Sequence, residues 1–231
     1  MVLVGSGDSQ VPAPLPTVLK EYTKSAIRTQ PRDLLVWSLS YFKCLEDGRV
    51  PPVKDRLEFP VPVTSEGISP GILRVLQRQL GDTKDGNVEW ASLAEACHSL
   101  GVRKNAVKES WDLTEGAKGC ESKPWDHILS HLAIRNSGNN QDTNKNVSEA
   151  LQHVMNALTD DSVSKRVLLQ RVLDHYARIH AHIHSQDPNV DQNAVVLVHQ
   201  DAQDYLTDVA QYQQGFLLPS DLTRPSCPPL Q

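Results

Sequence analysis

The stretch VPAPLPTVLKEYTKSAIRTQPRDLLVWSLSYFKCLEDGR, residues 11–49, decides the fold. Pro16 can open a helix, because the N–H it lacks has no partner in a first turn. Gln30 precedes Pro31, whose ring pushes its neighbour away from helical angles, so a first helix is expected over about Pro16 to Thr29. Pro31 suits the first position of a second helix, Asp33 lies in its first turn facing the positive end of the dipole, and Gly48 supplies the stop.

The first helix carries two adjacent apolar lines: Leu15, Val18, Tyr22 and Ala26 on one, Leu19, Thr23 and Ile27 on the other. The second has Leu34, Trp37, Tyr41 and Leu45 on one side and Leu35, Leu39 and Phe42 on another, so nearly its whole circumference calls for burial. Each large apolar side chain taken from water contributes roughly 1.5–3 kcal/mol, yet about 40 residues alone seldom bury enough to offset their ordering entropy. Two such hairpins packed face to face make a four-helix bundle, and the two leftover stripes line one shallow apolar groove across its two-fold axis. Periodicity alone suits a monomeric helical core better.

The full pattern VPxPLPxVLKxYxKxAIRxxPxDLLxWSxxYF resembles the dimerization/docking domain of type II regulatory subunits of cyclic-AMP-dependent protein kinase, and this reverses that preference. The resemblance implies an antiparallel, X-shaped four-helix bundle whose first helices receive an amphipathic helix from an anchoring protein. By the same resemblance Leu15, Val18, Tyr22 and Ala26 are dimer-core positions, joined from the second helix by Leu34, Trp37, Tyr41 and Leu45. Val11, Leu19, Thr23 and Ile27 are groove positions, and Lys24 departs from the apolar residue the kinase subunit has beside the groove. Further segments, AIRTQPRDLL, PPVKDRLEFP, ISPGILRVLQRQ and, more loosely, VSEALQHVMNALTDD with HYARI, are similar to ropporin and the ropporin-like radial spoke proteins of cilia. That similarity, over about residues 11 to 180, implies a non-catalytic adaptor of the axonemal radial spoke stalk or sperm fibrous sheath. It would act as a homodimer, or a heterodimer with a related docking subunit. It would grip a helix of a spoke scaffold or A-kinase anchoring protein, beside other spoke subunits.

Outward from this hairpin, an all-α chain is expected: an N-terminal extension over 1–10, the docking unit over 11–48 and a proline-rich connector over 49–69. A helix-loop-helix region over 70–134, a mobile polar loop over 135–146, a helical region over 147–214 and a proline-rich tail over 215–231 follow. Ser69 with Pro70 and the later Gly81 bound one helix. Others are expected over Trp90 to Leu100, around Arg103 to Trp111 and after Pro124. Helical spacing returns at Leu151, Val154, Met155 and Leu158, and at Val167, Leu168, Val172 and Leu173. The run Val195 to Val198 suits helix or strand and is read as helix; no longer period-two run or internal repeat stands out. The tail, with Pro219, Pro225, Pro228 and Pro229, is expected to be disordered unless a partner holds it.

Composition narrows the function. The 231 residues carry 23 Lys plus Arg against 28 Asp plus Glu, a formal charge of −5, so the electrostatic footprint of a nucleic-acid binder is missing. Cys44, Cys97, Cys120 and Cys227 form no CxxC pair, and no stretch approaches the roughly 20 apolar residues that span a bilayer, which predicts a soluble intracellular chain without membrane contact. LGDTKDGNVEW has the outline of an EF-hand, with Gly86 at the sharp turn and Val88 where paired loops exchange backbone hydrogen bonds. Gly81, Thr83, Asp85 and Ser92 fall at ligand positions one, three, five and twelve, a poor calcium set without the terminal Glu, so a degenerate structural pair is favoured over the alternative of a calcium-responsive regulator. His175, His180, His182 and His184 make a histidine-rich helix, and His180 with His184 has the i, i+4 spacing that can grip zinc. With Asp187 the nearest carboxylate and no HExxH, a solvated or partner-facing helix is favoured over a metal centre, and no cofactor is expected. No phosphate loop, GxSxG elbow or Cys/His signature accompanies these residues, and an enzyme is not expected.

Overall fold

Helix boundaries follow the capping chemistry that the chain carries. The computed structural model describes residues 12–59, 66–114, 121–136, 143–159, 165–185 and 192–230, with backbone alone for 143–146 and 192–198. Helix α1, Leu15–Thr29, ends where Gln30 turns left-handed at φ +50° and returns its N–H to the Ala26 carbonyl. Helix α2, Leu34–Glu46, starts later than Pro31 would set it: the Asp33 carboxylate accepts from the N–H groups of Leu35 and Val36, both at 3.0 Å. Two satisfied N-terminal donors outweigh what a proline at the first position offers, which is only a preset φ. Gly48, at φ +65°, turns the chain out of α2.

Beyond the connector the chain repeats one motif: a helix, a loop, a short strand and a second helix. Helix α3, Pro70–Leu80, strand β1, Asn87–Glu89, and helix α4, Trp90–Ser99, form the first unit. Helix α5, Lys104–Leu113, strand β2, Ser122–Pro124, and helix α6, Trp125–Asn136, form the second. Strands β1 and β2 pair antiparallel with Val88 opposite Lys123, the contact expected of paired EF-hand-like loops. A third unit comprises α7, Thr143–Leu158, β3, Val167–Leu168, and α8, Leu169–His184. A fourth comprises α9, Gln192–Tyr212, β4, Phe216–Leu217, and a 3-10 turn, Pro219–Thr223; β3 and β4 pair with Val167 opposite Leu217.

Several expectations are corrected here. Strands exist, but at two or three residues they are too short to show a period-two pattern. Val167 and Leu168 lie in one of them rather than in a helix. The polar loop is shorter than 135–146, because α6 runs to Asn136 and α7 begins at Thr143; the residues between lie outside those described. A repeat is present in geometry: Gly86, Lys165 and Gly215 all adopt positive φ two residues before the paired residues Val88, Val167 and Leu217. The proline-rich tail is ordered by contacts within the chain, with Leu222 and Leu230 buried. Asp221, fully buried, accepts from the Leu218 N–H at 2.8 Å and the Gln213 side chain at 3.0 Å and pairs with Arg224 at 2.6 Å.

The four units share one core. Helix α7 packs against α3, α6 and α8, and contributes Leu151, Val154 and Met155 to the buried core that also holds Leu73, Leu76 and Ile128. Lys123 is buried too: its ammonium donates to the carbonyls of Trp111 at 2.7 Å and Thr114 at 2.9 Å, closing the negative end of α5 beneath the Trp111 ring.

Over residues 50–58 the connector is a strap fastened at six positions. The Trp37 indole donates to the Pro52 carbonyl at 2.7 Å, the Lys54 N–H to Thr29 Oγ1 at 3.1 Å, Gln79 to the Val50 carbonyl at 2.9 Å and Arg78 to the Val53 carbonyl. Asp55 pairs with Arg78. Glu58 pairs with Lys54 and accepts from Ser69 Oγ at 2.8 Å and the Gly71 N–H at 2.7 Å, which adds an anionic cap to α3 beside the Ser69 hydroxyl that caps Ile72. Burial works to raise the Glu58 carboxyl, but these donors hold it below its ordinary value. Arg32 lies over the turn after α4, so close to Gly101 that a Cβ there would meet its side chain at 3.1 Å.

Two outcomes are expected. Trp37→Phe leaves the buried Pro52 carbonyl unpaired and should cost about 1–3 kcal/mol in urea unfolding, whereas Tyr212→Ala, at a 92% exposed position, should change stability by less than about 0.5 kcal/mol. Burial pushes the imidazole of His175 down to about 3 and those of His131 and His180 down to about 4. An unfolded imidazole protonates near 6.5, so the unfolded state binds more protons as pH falls below that value. The stability these groups contribute is complete above pH of about 6.5 and declines down to about 4 for His131 and His180 and to about 3 for His175, by at most about 1.4 kcal/mol per pH unit for each group. Urea midpoints measured across that window should fall, with a shallower slope in His175→Phe.

Candidate docking surface

Helices α1 and α2 meet through aromatic rings. The Tyr22 hydroxyl bonds Ser38 Oγ at 2.7 Å, and its ring lies 5.7 Å from Trp37, 5.5 Å from Tyr41 and 5.1 Å from Phe42, stacked on the last at 22°. Trp37 and Tyr41, which the family resemblance places in a dimer core, are already covered within one chain by this cluster and the connector. Val18, Tyr22 and Ala26 are half-buried on the same side.

The other faces remain in water. Leu15, Leu19, Ile27, Leu34, Leu35, Leu39, Phe42 and Leu45 are eight of the fourteen large hydrophobic side chains exposed among the described residues, and all eight sit on this one hairpin. Of the expected groove positions, Leu19 and Ile27 stand open, and Thr23 is exposed with its hydroxyl donating to the Leu19 carbonyl at 2.8 Å. Val11 lies outside the described residues. Lys24 pairs with Glu21 at 2.9 Å along the rim. Leu35 and Leu39, 83% and 72% exposed, belong to the open face, although the family resemblance assigns neither a dimer-core nor a groove position. Their signal was legible in the all-round apolar character of α2. Exposed apolar side chains concentrated on one element in this way mark an interaction surface.

Elsewhere the geometry argues against chemistry. Ser130, His175 and Asp126 come together between α6 and α8: Ser130 Oγ lies 2.7 Å from His175 Nδ1, and His175 Nε2 lies 3.8 Å from Asp126. Ser130 Oγ also reaches the Asp126 carbonyl at 3.0 Å, and the tautomer of His175 sets which of the two partners takes the serine proton. Both Ser130 and His175 are fully buried, and Asp126 is held by Arg171 at 2.6 and 2.9 Å. Burial works to raise the Asp126 carboxyl, and the guanidinium more than offsets it. Burial also pushes the Cys97 thiol up to about 12, far from a reactive thiolate. Cys44 is buried and Cys227 half-buried, with both thiols raised by burial; Cys120 lies outside the described residues.

In the first loop Thr83 and Asp85 are exposed and the Thr83 carbonyl accepts from Gly86, leaving one carboxylate among the counted positions. His180 and His184 share a face of α8 and are joined there by His199 of α9, while Asp187 lies outside the described residues. Among the described residues no helix is long and apolar enough to cross a membrane.

Residues 5–49 match the family model of the ropporin N-terminal domain. That match and the open two-helix unit agree, and the chain is thereby ropporin-like at its N-terminal end, carrying there a docking domain of the type II regulatory-subunit kind.

Proposed function

We propose that the chain is a non-catalytic adaptor of the ciliary or flagellar axoneme, in the radial spoke stalk. In this reading the N-terminal hairpin dimerises, with a second copy or a related docking subunit, and clamps one amphipathic helix of a spoke scaffold or A-kinase anchoring protein. The observation that carries it is the concentration of eight exposed apolar side chains on a hairpin that also matches the ropporin N-terminal domain. Leu15, Leu34, Leu35, Leu39 and Leu45 supply the surface that a second hairpin covers, with Tyr22, Trp37 and Tyr41 as the rigid backing beneath it. Val11, Leu19, Thr23 and Ile27 then flank the two-fold axis as the groove. Helix-in-groove binding draws its energy from apolar anchors, and a first helix already ordered by dimerisation loses little further entropy. The four-unit body positions the dimer among other spoke subunits.

Light scattering on the full chain should give a dimer, and a fluorescent amphipathic anchoring-helix peptide should bind it saturably. Leu19→Asp should remain dimeric and bind at least about 30-fold more weakly, the equivalent of about 2 kcal/mol. Leu39→Asp should shift the chain to monomer. A folded wild-type chain that stays monomeric, or a dimer that binds no such helix, would refute the docking role.

A further inference from the structure

Helix α1 distributes its charge as unevenly as its apolar residues. Lys20, Lys24 and Arg28 stand on it against Glu21 alone, in a chain whose net charge is −5. With about 100° between successive residues, Leu19, Thr23 and Ile27 fill one sector of the helix. Val18, Tyr22 and Ala26, half-buried, fill the next sector on the side of α2, where Tyr22 bonds Ser38. Lys20 and Lys24 fill the sector on the other side. Each lysine is a one-turn neighbour of the apolar line, Lys20 of Thr23 and Lys24 of Ile27, three residues on. The exposed line is therefore bounded by α2 along one edge and by ammonium groups along the other.

Both lysines are exposed. Lys24 meets Glu21 at 2.9 Å, with the two side chains 54% and 52% exposed. An ion pair this open to water contributes little, so the lysine can exchange Glu21 for a carboxylate on a partner. The Glu21 carboxyl, bonded by Lys24 and within the field of Arg28 and Lys20, is held below its ordinary value. All three cations thus act on one patch of surface. Thr23 adds no polar demand within the line, since its hydroxyl already donates to the Leu19 carbonyl.

We propose that Lys20 and Lys24 are specificity-determining residues of the docking surface, and that its partner is an amphipathic helix with Asp or Glu along both flanks of its apolar face. In the dimer of the docking reading, on which this assignment rests, the second copy repeats the lysine edge. A helix laid over the paired apolar lines then meets ammonium groups at both flanks. Apolar anchors supply most of the affinity, while rim charges choose among helices with equally good anchors, attracting acidic flanks and repelling basic ones. The selection weakens with salt, as the screening length falls from about 10 Å at 0.1 M to about 3 Å at 1 M.

Three fluorescent peptides test this on the full chain. All share one apolar face of Leu and Ile at helical spacing and carry Glu, Gln or Lys at the flanking positions, residues of closely similar helix propensity. At about 0.05 M salt the Glu-flanked peptide should bind at least about 10-fold more tightly than the Lys-flanked one, with the Gln-flanked peptide between, and the gap should close near 1 M. Lys20→Gln/Lys24→Gln should bind the three about equally, and Lys20→Glu/Lys24→Glu should reverse their order. Lys84→Gln, at an exposed position in the loop before β1, should leave the order unchanged. Circular dichroism and light scattering check the fold and the oligomeric state of each variant. Equal binding of the three peptides by the wild-type chain, a preference for the Lys-flanked one, or a preference for Glu that survives in Lys20→Gln/Lys24→Gln overturns the assignment and leaves the docking role standing. A wild-type chain that binds none of the three overturns both. The wild-type ranking at low and high salt decides the matter even if a double variant fails to fold.

Discussion

Helix α2 has more apolar surface than one chain can cover. Its thirteen residues include five leucines or valines as well as Trp37, Tyr41 and Phe42, and only one side meets α1 and the connector. Everything at the N-terminal end follows from that excess. Tyr22 reaches across to wedge the aromatic cluster, the Pro52 carbonyl satisfies the indole that burial would otherwise orphan, and the uncovered leucines are left for another chain. A charged or polar residue at Leu35 or Leu39 would have made the hairpin comfortable as a monomer. Their apolar character is what separates a docking unit from a helical appendage.

The body applies a different economy. The turns into β1, β3 and β4 use a positive φ, at Gly86, Lys165 and Gly215, and each of the four strands sends one side chain inward: Val88, Lys123, Val167 and Leu217 are all buried. In a calcium-binding hand the loop is drawn together by the ion; here the described contacts that do this are internal. Lys123 places an ammonium on the carbonyls at the end of α5, and Asp221 turns its carboxylate on the backbone and side chains around it. The EF-hand-like outline is thus retained as packing geometry.

How much of this was legible in the sequence depends on the length over which a signal extends. Ser69, Pro70 and Gly81 bracket α3 as they should, and the apolar lines of α1 and α2 are visible because they run for three or four turns. Strands of two or three residues have no period to read, and their pairing is a long-range fact joining residues 35 and 50 positions apart. The repeat was hidden at Lys165, which takes a left-handed conformation without the glycine that announces it at Gly86 and Gly215. The tail misled for a related reason. Prolines exclude helix, but they do not exclude an ordered segment held by Asp221, Leu222 and Leu230. On the hairpin, sequence pattern shows the apolar lines of α1, while the extent of the open face of α2 depends on which side the connector occupies.

The strap from Val50 to Glu58 carries a mechanical consequence. A free linker of ten residues lets its ends wander by about 18 Å, so a tug on one end is first absorbed as slack. Here Val50, Pro52, Val53, Lys54, Asp55 and Glu58 are each fastened to a helix at one side or the other. A load applied to the N-terminal helices passes straight into α3 and the core behind it. The two parts therefore move as a single stiff lever, whose compliance lies in whatever each end is attached to.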